Sequence, residues 1–321
     1  MDDRKLLHML SAGPRAGAEL AAALAVAPEA LAQACARLQA AGAALVASAD
    51  GTWQLLQPLD LHNAQAVRDR LSGPVQQALS RLEVVWEVDS TNSALLREPA
   101  PDDGVAVLLA ETQQAGRGRR GRVWVSPLAR HLYLSLCWRA PHGLAALAGL
   151  SVVVGVVVAE VLRDLGLARV GLKWPNDLLL DGAKLGGILV ETAGPARGPL
   201  QVVLGLGLNV HGTSWQGEGI EQPWAALDAC LNPVPDRDAL AAALIQALVP
   251  AMVQYRQQGL APFLPRYAAL DILAGQPIWV DQAGGRVPAV AVGLAEDGAL
   301  RVRDGQGERR LHAGMVSVRT Q

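Results

Sequence analysis

Residues 171–191 decide the fold of the central part of the chain, and they read GLKWPNDLLLDGAKLGGILVE. Apolar runs flank a polar corner, Trp174–Asp177, and an Asp-Gly pair at residues 181–182. An Asp-Gly pair between apolar runs is a strong signal of a β-hairpin. The pattern therefore predicts one strand that ends at the corner, a second that leaves it, and a third that carries Lys184 at its start.

The predicted hairpin gathers polar side chains at one end of a sheet. They are Lys173, Asn176, Asp177 and Lys184. Two ammonium groups, an amide and a carboxylate in one place could bind a carboxylate or phosphate and hold a proton acceptor beside it. Simpler interpretations stay open, because Asn176 and Asp177 could serve only the turn, and Lys184 could be a charge at a strand edge.

Lysine is rare in this chain. Of the 28 basic residues, only Lys5, Lys173 and Lys184 are lysines, and the others are arginines. A planar guanidinium cannot imitate a compact ammonium on a flexible stem at a crowded site. Two of the three lysines fall in the hairpin, which makes it the first candidate for a functional site, although chance could also produce this distribution.

A second stretch, residues 111–122, reads ETQQAGRGRRGR and places four arginines among glycines. Gly116–Gly121 matches the GxGxxG pattern of dinucleotide-binding loops, but such a loop must open a helix. Residues 123–125 are β-like and Pro127 follows, so we reject that interpretation. Closely spaced arginines repel one another unless an anion lies between them, and phosphate or carboxylate is the expected ligand. The alternatives are a solvated basic loop and a contact to a nucleic-acid backbone.

Two shorter segments complete the set of candidates. Residues 89–92, Asp-Ser-Thr-Asn, precede a helical pattern, so Ser90, Thr91 or Asn92 is expected to cap that helix. Residues 204–210, LGLGLNV, predict a glycine-rich strand, where the missing side chains suggest that a ligand or another backbone lies close.

The pattern divides the chain into three regions. Residues 4–57 predict three helices and a hairpin, the order found in winged helix-turn-helix domains. Strand-like and helical patterns alternate over residues 80–230, as in an α/β or α+β domain. After Pro277, short strands separated by glycine-rich turns predict a small SH3-like β-barrel. We therefore expect domains at residues 1–62, 63–271 and 272–321.

Two long helices are expected in the central region. A buried apolar helix is predicted from Leu144 to Leu165, where Gly166 ends it. A second helix is predicted over residues 239–257, with Asp238 as its N-cap.

Composition excludes several classes of protein. A formal net charge of −2 argues against a protein that binds nucleic acid through overall basicity. Cys35, Cys137 and Cys230 lie far apart, which indicates a reducing compartment without disulfides. The histidines show no metal-ligand spacing, so no permanent metal site is expected. The acidic start is not a secretory signal, and no apolar run is long enough to span a bilayer comfortably, so we expect a cytoplasmic protein without membrane contact.

Taken together in this order and spacing, the four segments resemble those of biotin protein ligases. The chain is similar to the three-domain bacterial form, which is also the biotin operon repressor, along nearly its whole length. The resemblance implies an α+β fold with an N-terminal winged helix-turn-helix, a central mixed-sheet α/β ligase domain of the class II synthetase type, and a C-terminal SH3-like β-barrel.

The resemblance also implies a two-step reaction. Biotin and MgATP would give biotinyl-5′-AMP and pyrophosphate, and the biotinyl group would then pass to a lysine of a biotin carboxyl carrier protein. Biotin, ATP and Mg²⁺ are thus the implied small molecules, and the family implies a homodimer. A lipoate–protein ligase shares the fold but lacks the GRGRRGR loop, and the intact loop and lysines argue against an inactive binding module.

Site residues follow from the resemblance residue by residue. Those implied to bind biotin are Ser90, Thr91, Asn92, Gln113, Gly116, Arg117, Gly118, Arg119 and Lys184. Those implied to bind ATP and the adenylate are Arg119, Arg122, Lys173, Trp174, Asn176, Asp177, Lys184, Asn209 and Trp224. Lys184, Arg119 and Asp177 would be catalytic, with Asp177 as candidate acceptor for the proton of the incoming lysine and Trp224 stacked on adenine.

The N-terminal region lacks the charge of a DNA-binding domain. From Asp2 to Asp60 there are four basic and six acidic residues, a net charge of −2. The predicted recognition helix, residues 27–41, has Arg37 as its only basic residue, and the hairpin, residues 45–56, has none. DNA binding depends on neutralising phosphates and on polar side chains that read bases. We therefore expect weak or absent repression, the alternative being a biotin-responsive repressor whose main role is to bind DNA.

Overall fold

The computed structural model describes residues 3–56, 59–141, 143–195, 198–212, 220, 222–282, 285–313 and 317–320. Its N-terminal unit has three helices and an antiparallel sheet of order β1-β3-β2. The helices are α1 (Asp3–Ser11), α2 (Gly17–Leu24) and α3 (Pro28–Ala40), and the strands are β1 (Arg15–Ala16), β2 (Leu45–Ala47) and β3 (Thr52–Leu55). The predicted helices and hairpin are confirmed, and β1 is an addition that the sequence does not reveal.

A seven-stranded mixed sheet of order β4-β5-β6-β10-β9-β8-β7 forms the centre of the molecule. Its strands are β4 (Leu79–Val88), β5 (Val105–Gln113), β6 (Leu132–Ala140), β7 (Val170–Lys173), β8 (Asp177–Leu180), β9 (Ala183–Ala193) and β10 (Leu200–Leu208). β4 and β5 are parallel, and the other neighbours are antiparallel. The three strands predicted from residues 171–191 are confirmed as β7, β8 and β9.

In the described part of the chain, six α-helices accompany this sheet. They are α4 (Ala64–Asp69), α5 (Gly73–Ala78), α6 (Thr91–Arg97), α7 (Leu150–Asp164), α8 (Arg237–Gln258) and α9 (Leu264–Ala268). Among the described residues, α8 is the single helix long and apolar enough to cross a membrane by length and composition, and 56% of its most apolar window is buried. Its apolar residues pack in the same core as those of α7, which is typical of a core helix.

The predicted start of the apolar helix at Leu144 is wrong. Residues 144–147 form a separate 3₁₀ turn, and α7 begins at Leu150 after Gly149, whose φ is +78°. A Cβ at Gly149 would lie 2.6 Å from Leu260 Cδ2. The glycine and the close approach of Leu260 therefore set the start of α7, and neither is visible in the local apolar pattern.

The predicted N-cap of α8 is also wrong. Asp236 caps this helix, because its Oδ1 accepts a hydrogen bond from the Ala239 N–H at 2.6 Å. Asp238 lies in the first turn and instead holds the His62 ring, with 2.8 Å between its Oδ1 and Nδ1. The Asp238 carboxylate, which the local sequence predicts as the helix cap, is thus bonded to His62, a residue far away in the sequence.

Five antiparallel strands of order β14-β13-β12-β11-β15 form the C-terminal sheet. They are β11 (Pro277–Gln282), β12 (Gly285–Leu294), β13 (Leu300–Asp304), β14 (Gly307–Leu311) and β15 (Ser317–Thr320). The first three predicted strands are confirmed, and the fourth, predicted over residues 315–318, lies partly outside the described residues. β14 was not predicted, because its sequence, GERRL, has no apolar alternation.

A buried ion pair joins the segment after the N-terminal unit to the central sheet. Arg237 is fully buried, and its Nη1 lies 2.7 Å from Oε2 of Glu111 in β5. The same guanidinium donates to the carbonyl oxygens of His131 (3.1 Å) and Asp60 (2.5 Å). The other oxygen of Glu111 accepts the His62 N–H at 2.5 Å. One charged cluster therefore fixes the connecting segment, α8 and β5 to one another.

Arg237→Met would leave the Glu111 carboxylate buried without its cation. We expect the free energy of unfolding to fall by about 3–5 kcal/mol, as measured by urea denaturation. Arg169→Met is the control, because it removes an ion pair with Asp181 in which the Arg169 side chain is 72% exposed. That change should cost less than about 1 kcal/mol. Equal losses in the two variants would contradict the structural role given to the buried pair.

Candidate active site

A cavity of about 890 Å³ lies where the arginine loop, residues 116–122, meets the β7–β8 corner and strands β9 and β10. Every predicted site residue except Gly116 lines it, namely Ser90, Thr91, Asn92, Gln113, Arg117, Gly118, Arg119, Arg122, Lys173, Trp174, Asn176, Asp177, Lys184, Asn209 and Trp224. Four segments that are far apart in the sequence therefore meet at one place.

Gly116 packs behind the cavity wall. A Cβ there would lie 2.3 Å from the Trp124 carbonyl oxygen and 2.8 Å from Ser126 Oγ. The Gly116 carbonyl also accepts a hydrogen bond from the Trp124 N–H at 2.8 Å. The glycine permits this close approach inside the loop, and its position gives no support to the predicted contact with biotin.

The arginine loop does not lead into an α-helix. This agrees with our rejection of a dinucleotide-binding loop. Residues 119–121 make one 3₁₀ turn, in which Arg120 has the left-handed conformation with φ 58°. Arg119 Nη1 donates to Asn176 Oδ1 at 3.1 Å, and its Nη2 donates to the Ala313 carbonyl oxygen. Burial, and then the positive charge of Arg120, lowers the pKa of Arg119. An arginine remains charged in proteins, so the loop brings a partly desolvated cation to the cavity.

Two adjacent parallel strands supply the polar residues at one end of the cavity. β4 and β5 end side by side, so the start of α6 lies next to Gln113. Ser90 is the N-cap of α6, as the sequence predicts, and its Oγ accepts the Ser93 N–H at 3.5 Å. Gln113 Oε1 accepts the Thr91 N–H at 3.0 Å. Thr91 and Gln113 are thus hydrogen-bonded to each other, and Ser90 lies beside them as the cap of α6.

Two further polar residues hold Asn92 in place. Asn92 is 3% exposed, and its Nδ2 donates to Glu191 Oε2 (2.9 Å) and to the Leu189 carbonyl oxygen (3.2 Å). Ser135 Oγ lies 2.7 Å from both Asn92 Oδ1 and Thr91 Oγ1. Sequence reasoning missed Ser135 and Glu191 as site residues. The available signals were a lone serine in the apolar strand β6 and a glutamate after the apolar run of β9.

The β7–β9 hairpin forms the charged part of the cavity. Lys184 Nζ lies 2.9 Å from Asp177 Oδ1, and the two side chains are 16% and 25% exposed. Asn176 Nδ2 donates to the Ile188 carbonyl oxygen at 2.9 Å, which leaves its Oδ1 for Arg119. The hairpin therefore presents a lysine and a carboxylate as a hydrogen-bonded pair, with the arginine loop attached beside them.

Side chains of the protein itself fill the space above the glycines of β10. A Cβ at Gly207 would lie 2.4 Å from Trp124 Cε2, and one at Gly205 would lie 2.4 Å from Asn92 Oδ1. Gly205 and Gly207 also line the cavity, so the expectation of a ligand close to this strand stays a prediction. Lys184 Nζ lies 5.6 Å from the Trp124 ring centroid, within cation–π range, so the indole joins the loop to the hairpin.

Asn209 holds a short segment against the start of β9. Its Nδ2 donates to the carbonyl oxygens of Lys184 (3.2 Å) and Ala225 (3.0 Å). Lys184 and Trp224 form an isolated parallel bridge, which brings the Trp224 backbone next to the lysine. A Cβ at Gly212 would lie 2.6 Å from the Trp224 ring. The donors of Asn209 are thus engaged within the protein, and this residue positions the wall that carries Trp224.

Trp174 belongs to the opposite wall and is 3% exposed. Its Nε1 donates to the Gly298 carbonyl oxygen of the C-terminal unit at 3.0 Å. The indole therefore offers the cavity an apolar surface, because its single donor is already used.

Comparison with known proteins bears on what the cavity does. The biotin/lipoate A/B protein ligase family matches residues 86–209. The bifunctional ligase/repressor BirA of Escherichia coli (strain K12) is 38% identical over 269 residues, which cover 84% of this chain and 81% of that protein. The chain belongs to the biotin protein ligase family. The biotin–[acetyl-CoA-carboxylase] ligase of Mycobacterium tuberculosis (strain ATCC 25618 / H37Rv) is 35% identical, over 83% of this chain and 94% of that protein.

The fold of this biotin protein ligase agrees with a solved structure. A biotin protein ligase from Aquifex aeolicus, in complex with biotin and ATP, matches 75% of this chain and 100% of that chain with a TM-score of 0.65 and 24% identity. The central mixed sheet and the C-terminal antiparallel sheet are therefore those of the family fold. The protein is an enzyme that ligates biotin, and the lipoate–protein ligase alternative is not favoured.

Proposed function

We propose that both half-reactions of this biotin protein ligase take place in the cavity described above. In the first, a carboxylate oxygen of biotin attacks the α-phosphorus of ATP, the bond from that phosphorus to the bridging oxygen breaks, and pyrophosphate leaves. The product is biotinyl-5′-AMP. The observation that carries the proposal is that the arginine loop and the hairpin bring Arg119, Lys184 and Asp177 to one cavity.

Positive charge is the main requirement of this step, because two anions must approach each other. Lys184, held by Asp177 and the Trp124 face, is assigned to the biotin carboxylate and the α-phosphate. Arg119, held by Asn176, is assigned to the phosphate as well. Cations fixed in advance in a partly buried site stabilise developing charge more strongly than mobile ones in water.

The polar group at the α6 end is assigned to the ureido ring of biotin. Ser90, Thr91 and Gln113 offer hydroxyl and amide groups for its N–H and carbonyl groups. Both N–H donors of Asn92 are engaged with the protein, so Asn92 contributes chiefly by shaping this end of the cavity. Arg117 and Gly118 would cover the ligand from the loop, while Arg122, Lys173, Trp174, Asn209 and Trp224 would form the nucleotide end.

In the second half-reaction, the ε-amine of a carrier-protein lysine attacks the acyl carbon, and the bond from that carbon to the phosphate oxygen breaks. AMP leaves, and Asp177 is assigned as acceptor of the amine proton. Mg²⁺ enters with ATP, and the Asp177 carboxylate fits such an ion, which commonly combines one or two carboxylates with substrate phosphates. Within the described ranges, no group of three or more His, Cys, Asp or Glu residues is placed to hold a metal ion.

Lys184→Gln removes a cation from both reacting anions. We expect the rate of pyrophosphate release to fall about 100-fold or more, the range seen when one preorganised donor to a developing charge is lost. Lys5→Gln, in α1 and outside the cavity lining, should keep the wild-type rate. As a reference, the wild-type enzyme with biotin and MgATP should add one biotinyl group to an apo carrier domain, as measured by intact mass. Unchanged pyrophosphate release from Lys184→Gln would contradict the role given to this lysine.

The N-terminal unit is proposed to be a winged helix-turn-helix that contributes little to DNA binding. Arg37, the one basic residue of its third helix, donates to Asp3 Oδ1 at 2.8 Å and is therefore already paired. The unit packs on the ligase domain instead. Leu128 and Ala129 join its apolar core, and the Leu128 N–H donates to the Ala41 carbonyl oxygen at 2.8 Å.

In a band-shift experiment at physiological salt, nanomolar protein loaded with biotin and ATP should leave the DNA of its own biotin operator unshifted. The physical reason is that too few phosphates would be neutralised. The same preparation must ligate biotin to the carrier, which shows that the protein is folded. A specific shift at nanomolar protein would overturn this prediction and favour the repressor alternative.

The remaining assignments extend the same proposal. We place the domain limits at residues 1–62, 63–271 and 272–321, with the last an SH3-like barrel that steadies two cavity walls. Its contacts to Arg119 and Trp174 support that role. A biotin carboxyl carrier protein as partner, a homodimer and a cytoplasmic location are proposed from the resemblance to the family.

A further inference from the structure

We propose that Glu191 is the positioning residue that fastens the arginine loop over the cavity, so that retention of the acyl-adenylate depends on a carboxylate at this position. The inference rests on the function proposed above. Glu191 lies in β9, seven residues after Lys184, and the side chain is 25% exposed. It is outside the set of residues that the sequence singles out for binding or catalysis.

The geometry joins three separate elements at this one carboxylate. Arg117 Nη2, in the loop, lies 3.1 Å from Glu191 Oε1 and 3.3 Å from Oε2. Oε2 also accepts the Asn92 Nδ2 hydrogen bond from α6 at 2.9 Å. A single side chain of the rigid sheet therefore holds both the loop and the residue at the biotin end. When the ion pair breaks, the Arg117 side chain loses its attachment to the sheet.

The rest of the loop is attached at the other end of the cavity. Arg119 reaches Asn176 at the β7–β8 corner and the Ala313 carbonyl oxygen. The loop thus spans the cavity between two attachments, and the Arg117–Glu191 pair is the one on the biotin side. Asp177, the carboxylate of the hairpin, is held by Lys184, so Glu191 has a separate task.

The Arg117–Glu191 contact is more exposed to solvent than the Arg119–Asn176 contact, so salt should weaken the first more than the second. The Arg117 side chain is 44% exposed, whereas Arg119 is partly buried where it meets Asn176. An ion pair near solvent is weakened by salt, because mobile ions screen it. The loop should therefore open from the Glu191 side, and the rate at which it opens should rise with ionic strength.

Glu191→Gln tests the inference. The amide keeps the size of the side chain and can still accept from Asn92, but it cannot form the ion pair. Wild type and variant are loaded with synthetic biotinyl-5′-AMP, and its release is followed after dilution. We expect release to be about two- to fivefold faster in the variant, in line with the modest strength of partly exposed ion pairs. Glu160→Gln, which breaks a similarly exposed pair with Arg266, should release the adenylate at the wild-type rate.

Arg117→Gln gives a second route to the same answer. It removes the same ion pair and also the ligand contact assigned to Arg117, so it should speed release at least as much as Glu191→Gln. The double variant should be no faster than Arg117→Gln alone, because Glu191 acts through Arg117. Raising the salt concentration should bring wild-type release towards that of the variants and change the variants less. A merely structural role for Glu191 would produce neither the shared effect nor the salt dependence.

Equal release from wild type and Glu191→Gln, additive effects in the double variant, or wild-type release independent of salt would each overturn the inference. These outcomes differ from a failure of the proposed function. That failure would show as wild-type protein that does not form the adenylate from biotin and MgATP, whereas release is measured with adenylate supplied from outside.

Discussion

Electrostatic repulsion between two anionic substrates is the constraint on which this structure depends. A carboxylate and a triphosphate do not approach each other unless cations lie between and around them. We propose that the protein supplies these cations from two segments, a glycine-rich loop that carries arginines and a hairpin that carries lysine. In the structure, Asn176 holds Arg119 of the loop, and Asp177 holds Lys184 of the hairpin.

Neighbouring residues hold the charged side chains in place. Asp177 and the Trp124 face hold Lys184, and Asn209 fixes the backbone beside it. Glycines in β10 admit the Trp124 indole and the Asn92 amide to places where any Cβ would collide. The strands therefore form a closely packed floor of the cavity.

Local chemistry predicted part of the site, and the resemblance to biotin protein ligases supplied its other residues. The hairpin follows from one Asp-Gly turn between apolar runs, and Ser90 caps α6 because a short hydroxyl precedes a helical pattern. What failed depends on distant partners. The start of α7 is set by Leu260, and Asp238 is taken by His62. Ser135 and Glu191 contact Asn92 only because the folded sheet brings the three residues together. Their spacing along the sequence does not reveal this contact.

The central claim is that the loop and the hairpin act on one bound anion, and a double-mutant cycle measures this directly. The affinity for a hydrolysis-resistant analogue of biotinyl-5′-AMP is determined for wild type, Arg119→Gln, Lys184→Gln and the double variant. Two side chains that contact the same phosphate or carboxylate of a ligand should be coupled. We therefore expect an interaction energy of about 1 kcal/mol or more between Arg119 and Lys184. Effects that add within about 0.5 kcal/mol would show two independent sites and contradict it.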